Sequence, residues 1–185
     1  MRIVPLALPE VRLIVPTVRG DDRGAFHEAW HERRYHEAGL PERWVQDNVS
    51  RSRRAVLRGL HFQHPNDQAK LVSVLFGEIL DVAVDIRRDS PTFGRAVSAT
   101  LTAAGAEQLF VPAGFAHGFV VTSEEAVVMY KCTAYYAPEC ERAIMWNDPA
   151  LAIEWPVATP ILSERDARAR RLADLAEHEL PPFPS

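Results

Sequence analysis

One arginine and one histidine interrupt the apolar, strand-like run Val56-Leu57-Arg58-Gly59-Leu60-His61-Phe62-Gln63. A polar side chain between Leu60 and Phe62 on a half-buried strand must be hydrogen-bonded, paired or used, because leaving it unpaired away from water costs roughly a few kcal/mol. The bland reading of His61 is a satisfied core histidine. Its surroundings in the sequence favour chemistry: His64 and Lys70 follow closely, and Pro112-Ala113-Gly114-Phe115-Ala116-His117 and Tyr130-Lys131 come later. Three histidines first raise a metal site. The spacing here is His-x-x-His, no glutamate follows within ten residues, and Lys70 brings a positive charge to that place, where it would repel a cation. No metal is expected. What remains is proton chemistry, since an imidazole with an ordinary pKa of about 6.5 suits a general base near neutrality when a carboxylate steadies it. Tyr130 shares one face of a strand with Ala126, Val128 and Cys132, and on that pattern alone it is a core aromatic with its hydroxyl satisfied.

These groups must be held by strands. Leu80, Val82, Val84 and Ile86 alternate with Asp81, Ala83 and Asp85, the period of two expected when one face packs inward and the other does not. Further strands are expected at 11–15, 44–49, 56–63, 70–76, 95–101, 108–111, 118–121 and 126–133. Phe26, Glu28 and Trp30 read as another, with Glu28 on the face of two aromatics. A short helix is expected near 31–38, stopped by Gly39. A second is expected near 164–177, where Ser163 and Asp166 have capping-box spacing. The end, 181–185, reads as a loose tail, and Arg51-Ser52-Arg53-Arg54 as a solvated loop. Short strands at this spacing, without helical period between them, predict an all-β antiparallel sandwich or jelly roll with short peripheral helices.

A chain of 185 residues fits a single domain, 1–185, with enough core to need no staples. A hydrophobic content of 47 % with 25 % charged residues excludes a wholly disordered chain, and a net charge of -4 argues against a nucleic-acid binder. Cys132 and Cys140 match no zinc spacing and read as reduced thiols. The start shows no secretory signal and no run is long enough to span a membrane, so a cytoplasmic location is expected.

Seven blocks of the sequence resemble the dTDP-4-dehydrorhamnose 3,5-epimerases, which are cupin-like jelly rolls. They are Trp44 to Asn48, Val56 to Gln63, Asp81 to Arg87, Ser90 to Gly94, Val111 to Phe119, Tyr130-Lys131 with Tyr135-Tyr136, and Leu162 to Asp166, and they occur in the family's order. The resemblance implies that Asp166 reaches His61 as a His-Asp dyad and that Tyr130 is the acid on the opposite face of a sugar. It places Lys70 near the oxyanion that develops at C4, with Arg58 assisting. It carries Arg23 and Arg165 to a diphosphate, makes Glu28, Gln46, Asp47, Asn48, His117 and Glu141 further substrate contacts, and stacks Tyr136 on thymine. Arg165 stands where the family commonly has Lys, and Ala69 where Gly often precedes the lysine. The implied substrate is a dTDP-4-keto-6-deoxyhexose and no cofactor is required. The expected activity is inversion of both C3 and C5; inversion of C3 alone, a module that binds a nucleotide sugar without turnover, and a metal-dependent cupin oxygenase are the alternatives. A homodimer is implied too, in which Arg23 and Glu28 complete the partner's pocket.

Overall fold

A computed structural model describes residues 1–41 and 43–183. Its strands are β1 (Arg2–Pro5), β2 (Arg12–Val15), β3 (Arg19–Asp21), β4 (Gly24–Phe26), β5 (Gln46–Arg53), β6 (Leu57–Gln63), β7 (Lys70–Phe76), β8 (Glu78–Asp85), β9 (Ala96–Thr102), β10 (Gln108–Val111), β11 (Phe115–Val121), β12 (Glu125–Cys132) and β13 (Glu141–Ala143). Two short helices join them, α1 (Glu32–Glu37) and α2 (Glu164–Ala167). A six-stranded sheet runs β1-β2-β10-β7-β12-β5 and a five-stranded sheet runs β13-β6-β11-β8-β9, with β3-β4 as a separate hairpin. Neighbouring strands pair antiparallel throughout, as a cupin-like jelly roll requires. No helix among the described residues is long and apolar enough to cross a membrane.

Three apolar layers hold this arrangement. Between the sheets lie Val72, Val74, Leu109, Val111, Ala126 and Val128 from one side and Ile79, Ala83, Val97, Leu101, Phe115, Phe119 and Val121 from the other. Full burial of each large aliphatic side chain stabilises by about 1.5–3 kcal/mol, so this layer dominates the fold. Outside the five-stranded sheet, Leu60, Phe62, Val82, Val84 and Ile86 are covered by Leu151, Leu172, Leu175 and Leu180. Outside the six-stranded sheet, Ile14, Leu71 and Phe110 are covered by Tyr35 and Leu40 around α1.

Because both faces of β8 are buried, its alternation reads the opposite way from expectation. Val82, Val84 and Ile86 face the C-terminal segment, while Ile79 and Ala83 face the other sheet. Asp81 and Asp85 therefore point between the sheets, both fully buried.

The C-terminal helix expected near 164–177 is helical only over Glu164–Ala167. Beyond it the backbone makes a parallel bridge between Arg170 and Ile144, then two 3-10 turns at Leu172–Asp174 and Glu177–Glu179. Leu172, Leu175 and Leu180 must all reach one sheet face, and an extended, turning chain spreads them over it where one helix would not. Asp148 Oδ2 fixes the path by accepting from the Leu172 backbone N–H at 2.8 Å. Nor is the described part of the tail loose: Pro181 is buried, Phe183 N–H donates to the Arg88 carbonyl and its ring lies 4.8 Å from the Arg87 guanidinium.

Two smaller expectations fail, and one strand is unforeseen. The strand through Phe26, Glu28 and Trp30 stops at Phe26, because Trp30 turns to pack 4.4 Å from the Tyr35 ring beneath α1. Arg51, Ser52 and Arg53 are not loop but the end of β5, with Arg51 salt-bridged to Glu125 and Arg54 to Glu124. Residues Arg2–Pro5, where no strand is expected from the sequence, form edge strand β1 with Pro5 as its last residue.

Candidate active site

A cleft of about 520 Å³ opens at one end of the sandwich, lined by Arg58, His61, Lys70, His117, Tyr130, Glu141, Arg165 and Asp166 among others. A smaller pocket continues it past Gln46, Asn48, Gln63, Gln68 and Tyr136. Local backbone explains why Arg58 and His61, three apart on one strand, both reach the cleft. Arg58 pairs with Phe119 and His61 with His117, so the register of β6 against β11 shifts by one residue between them. Such a bulge sets two residues of one strand against one of its partner and returns the side-chain alternation to the same face. Gly59 adopts φ +127°, and a Cβ there would stand 2.5 Å from Gly118 Cα and 2.8 Å from the His117 carbonyl oxygen. Only glycine fits.

His61 Nε2 lies 2.6 Å from Asp166 Oδ1. Asp166 reaches it from α2, whose position follows from the segment before: Ile161 N–H donates to the Ala55 carbonyl, and Leu57 N–H donates to the Ile161 carbonyl. Ser163 caps α2 by accepting from the Asp166 backbone N–H at 3.1 Å. Only that half of the capping box forms, because the Asp166 carboxylate is turned to His61. Burial pushes the Asp166 carboxyl up, but bonds from His61, Ser163 and the Gly59 backbone outweigh it and hold the group below the ordinary aspartate value. An ionised Asp166 accepts from Nε2–H and leaves the Nδ1 lone pair as the basic atom.

Lys70, at the head of β7, is 9 % exposed. Burial lowers its pKa from the usual lysine value, opposed by Cys132, Glu141 and Asp81. Tyr130 follows Ala126 and Val128 on the inner face of β12 and packs against the apolar layer. Burial raises its phenol, Cys132 adds to this, and Arg58 opposes it. At the rim, Arg165 Nη1 donates to Glu141 Oε2, and the Tyr136 hydroxyl donates to the same oxygen at 2.7 Å. Burial works against ionisation of Glu141, yet the Arg165 and Tyr136 bonds leave it below its ordinary value. Gln46 accepts from Tyr136 N–H at 2.8 Å and donates to Asn48 at 3.0 Å.

Three expected contacts are elsewhere in the chain. Asp47 points to the opposite face of β5 and pairs with Lys131 Nζ at 3.1 Å, since its neighbours Gln46 and Asn48 take the inner face. Arg23 is almost fully exposed on the β3-β4 hairpin and paired with Asp21. Glu28 pairs with Arg34 at 2.8 Å. His64 turns to Asp67 at 3.1 Å. Among the described residues no three His, Cys, Asp or Glu side chains are grouped to hold a metal. Both cysteines are free and buried.

Sequence reasoning did not single out Asp81, which binds His117 Nε2 at 2.5 Å and leaves its other oxygen without a partner. The inward phase of β8 was the signal, misread because its other face is more apolar. Nor did it single out Ser52, which lies within the expected loop 51–54, or Ser50 beside it, which lines the cleft from β5.

An imidazole steadied by a carboxylate, a phenol and a buried ammonium around one cleft can remove a carbon-bound proton, return one, and stabilise the anion between. Fold and site together define a jelly-roll protein with a proton-transfer cleft. A family model described as dTDP-4-dehydrorhamnose 3,5-epimerase matches residues 5–174, and the chain belongs to that family. It is 53 % identical over 176 residues to a dTDP-4-dehydrorhamnose 3,5-epimerase of Pseudomonas aeruginosa, covering 94 % of this chain and 97 % of the relative. A dTDP-6-deoxy-D-glucose-3,5-epimerase from Legionella pneumophila Philadelphia 1, crystallised in complex with dTDP-4-keto-L-rhamnose, superposes with a TM-score of 0.96 at 47 % identity, covering 100 % of this chain and 99 % of the other. A dTDP-4-dehydrorhamnose 3-epimerase of Streptomyces niveus is 40 % identical over 184 residues, 98 % of this chain and 89 % of the relative.

Proposed function

We propose that this protein is a cofactor-independent epimerase that converts dTDP-4-dehydro-6-deoxy-D-glucose to dTDP-4-dehydro-L-rhamnose by inverting C3 and C5. The observation that carries this reading is the 2.6 Å His61–Asp166 contact in a cleft that also holds Tyr130 and Lys70. Carbons next to the C4 ketone have acidified hydrogens, and in a gluco-configured chair those on C3 and C5 are axial on one face. His61 Nδ1 takes each in turn, and Asp166 steadies the imidazolium. Lys70 and Arg58 balance the charge gathering on the C4 oxygen, an electrostatic contribution often worth about 10²–10³ in rate. Tyr130 returns a proton from the other face.

The thymidine diphosphate lies outside the reacting ring, and its binding positions that ring. Arg165 suits the diphosphate, Tyr136 the thymine face, and Gln46, Asn48, His117 and Glu141 the polar edges between. Arg23, Glu28 and Asp47 act in this reading from a second copy of the chain. Exposed Val49, Leu75 and Phe26 supply apolar surface for such a homodimer. Dilution to verified monomers should then lower turnover; unchanged turnover in the monomer refutes the shared pocket.

Proton exchange tests the catalytic assignment. In deuterated water, His61→Asn should abolish deuterium entry at C3 and C5, and exchange at the wild-type rate would remove His61 as the base. The Streptomyces niveus relative makes inversion of C3 alone the second reading. NMR of the wild-type product separates the two by the number and configuration of labelled carbons.

A further inference from the structure

Arg58 enters the cleft already held by a residue that does not line it. Ser52, on the last turn of the pleat in β5, is 6 % exposed and stands opposite Ala126 of β12. Its hydroxyl accepts from Arg58 Nε at 3.1 Å. A guanidinium has five N–H donors in a rigid fork; with Nε committed to Ser52, the four on Nη1 and Nη2 have no acceptor among the described residues. Among the described residues no carboxylate pairs with Arg58. A neutral acceptor therefore fixes the orientation of the fork without cancelling its charge, which an aspartate at the same place would do.

The Tyr130 phenol is where that charge is needed. It is half-buried, and the groups facing it are of mixed sign: Cys132 on its own strand, Glu141 from β13, Tyr136 at the rim, Lys70 from β7, and Arg58 and His61 from β6. When Tyr130 gives up a proton it becomes a phenolate in a poorly solvated place, and a fixed cation beside it stabilises that state more than a wandering one.

We propose that Ser52 is a positioning residue: it holds the Arg58 guanidinium on the Tyr130 side of the cleft, so that proton return by Tyr130 depends on a hydroxyl outside the cleft wall. The proposal rests on Tyr130 being the acid. Removing the hydroxyl should slow inversion more than proton removal by His61, because Asp166 still steadies the imidazolium and Lys70 still balances the C4 oxygen.

The experiment compares deuterium entry with inversion, in deuterated water, for Ser52→Ala, Ser52→Cys and Ser52→Thr. Ala and Cys lack a good acceptor and should lower inversion about tenfold, the effect of one lost hydrogen bond to a charged group, with deuterium entry within about twofold of wild type. Thr restores the hydroxyl and should restore inversion. Adding Ser52→Ala to Tyr130→Phe should change residual inversion no further. Equal loss of entry and inversion, or no loss of either, in both hydroxyl-free variants overturns the role of Ser52 and leaves Tyr130 untouched. Wild-type inversion by Tyr130→Phe overturns the acid assignment itself, so the two failures are distinguishable.

Discussion

Replacing Lys70 with methionine should make the protein more stable and nearly inactive. Lys70 is 9 % exposed, and its ammonium has no hydrogen-bond or ion-pair partner among the described residues. Burial holds its pKa below the ordinary lysine value despite Cys132, Glu141 and Asp81 nearby. Methionine has similar length, no charge and enough flexibility to fill the same space. Removing an unpaired buried charge should stabilise the fold by about 1–3 kcal/mol, which for a chain of this size raises the melting temperature by roughly 3–10 °C. The sign with pH follows from linkage. Between the folded and unfolded pKa values the unfolded chain binds more protons, so wild-type stability rises with pH there. The advantage of Lys70→Met is therefore largest near neutrality and closes as pH approaches about 10.4, the unfolded lysine value. Turnover should fall by about 10²–10³, since the developing C4 oxyanion loses its buried cation. Melting curves across the neutral to alkaline range, with turnover at each pH, give both readings. A variant less stable than wild type at neutrality, or a stability gap independent of pH, would show that the ammonium is satisfied in the folded state and refute the reasoning.

Asp166→Asn should cut deuterium entry into substrate by about 10²–10⁴, because the imidazolium loses its counter-charge and the favoured tautomer; entry within tenfold of wild type would dissociate the pair from the reaction. Asp166 also sits below its unfolded value of about 3.9, so it contributes stability above that pH which is lost as pH falls through its lower folded value. Asp166→Asn should accordingly flatten the acid limb of the stability curve, measured by denaturant titration at several pH values, and an unchanged limb would contradict the linkage. Gly59→Ala should destabilise by more than about 3 kcal/mol, since its Cβ would meet Gly118 Cα at 2.5 Å with φ at +127°. A denaturation midpoint within about 1 kcal/mol of wild type would show that the bulge relaxes.

Most of the strand layout was legible in the sequence, because period-two alternation in β7, β8 and β12 depends only on local pattern. Faces were less legible. In β8 the more apolar face is covered by the distant Leu172, Leu175 and Leu180, and nothing near β8 says so. Asp81 beside His117 was hidden for that reason. The C-terminal helix failed similarly: Ala, Arg and Leu after Asp166 have helical propensity, but contacts with Ile144 and Asp148 override it. Resemblance to a family brought His61 and Asp166 together across 105 positions, which spacing alone could not do. It also named Arg23, Glu28 and Asp47, whose separation from this cleft is a property of the folded single chain.

Arg58 and His61 illustrate why the chemistry sits at this end of the sandwich. Inward positions of β7, β11 and β12 are apolar toward the closed end, with Val74, Val121 and Ala126 buried there, and polar at Lys70, His117 and Tyr130. Polar groups tolerate the inside of a sheet pair only where water or partners reach them. The bulge at Gly59 then does what alternation forbids, turning two ionisable side chains of odd spacing onto the same face. Without it, one of the pair would be driven under Leu151 and Leu172 into the outer apolar layer. The bulge is thus the backbone feature on which the joint presence of base and guanidinium in one cleft depends.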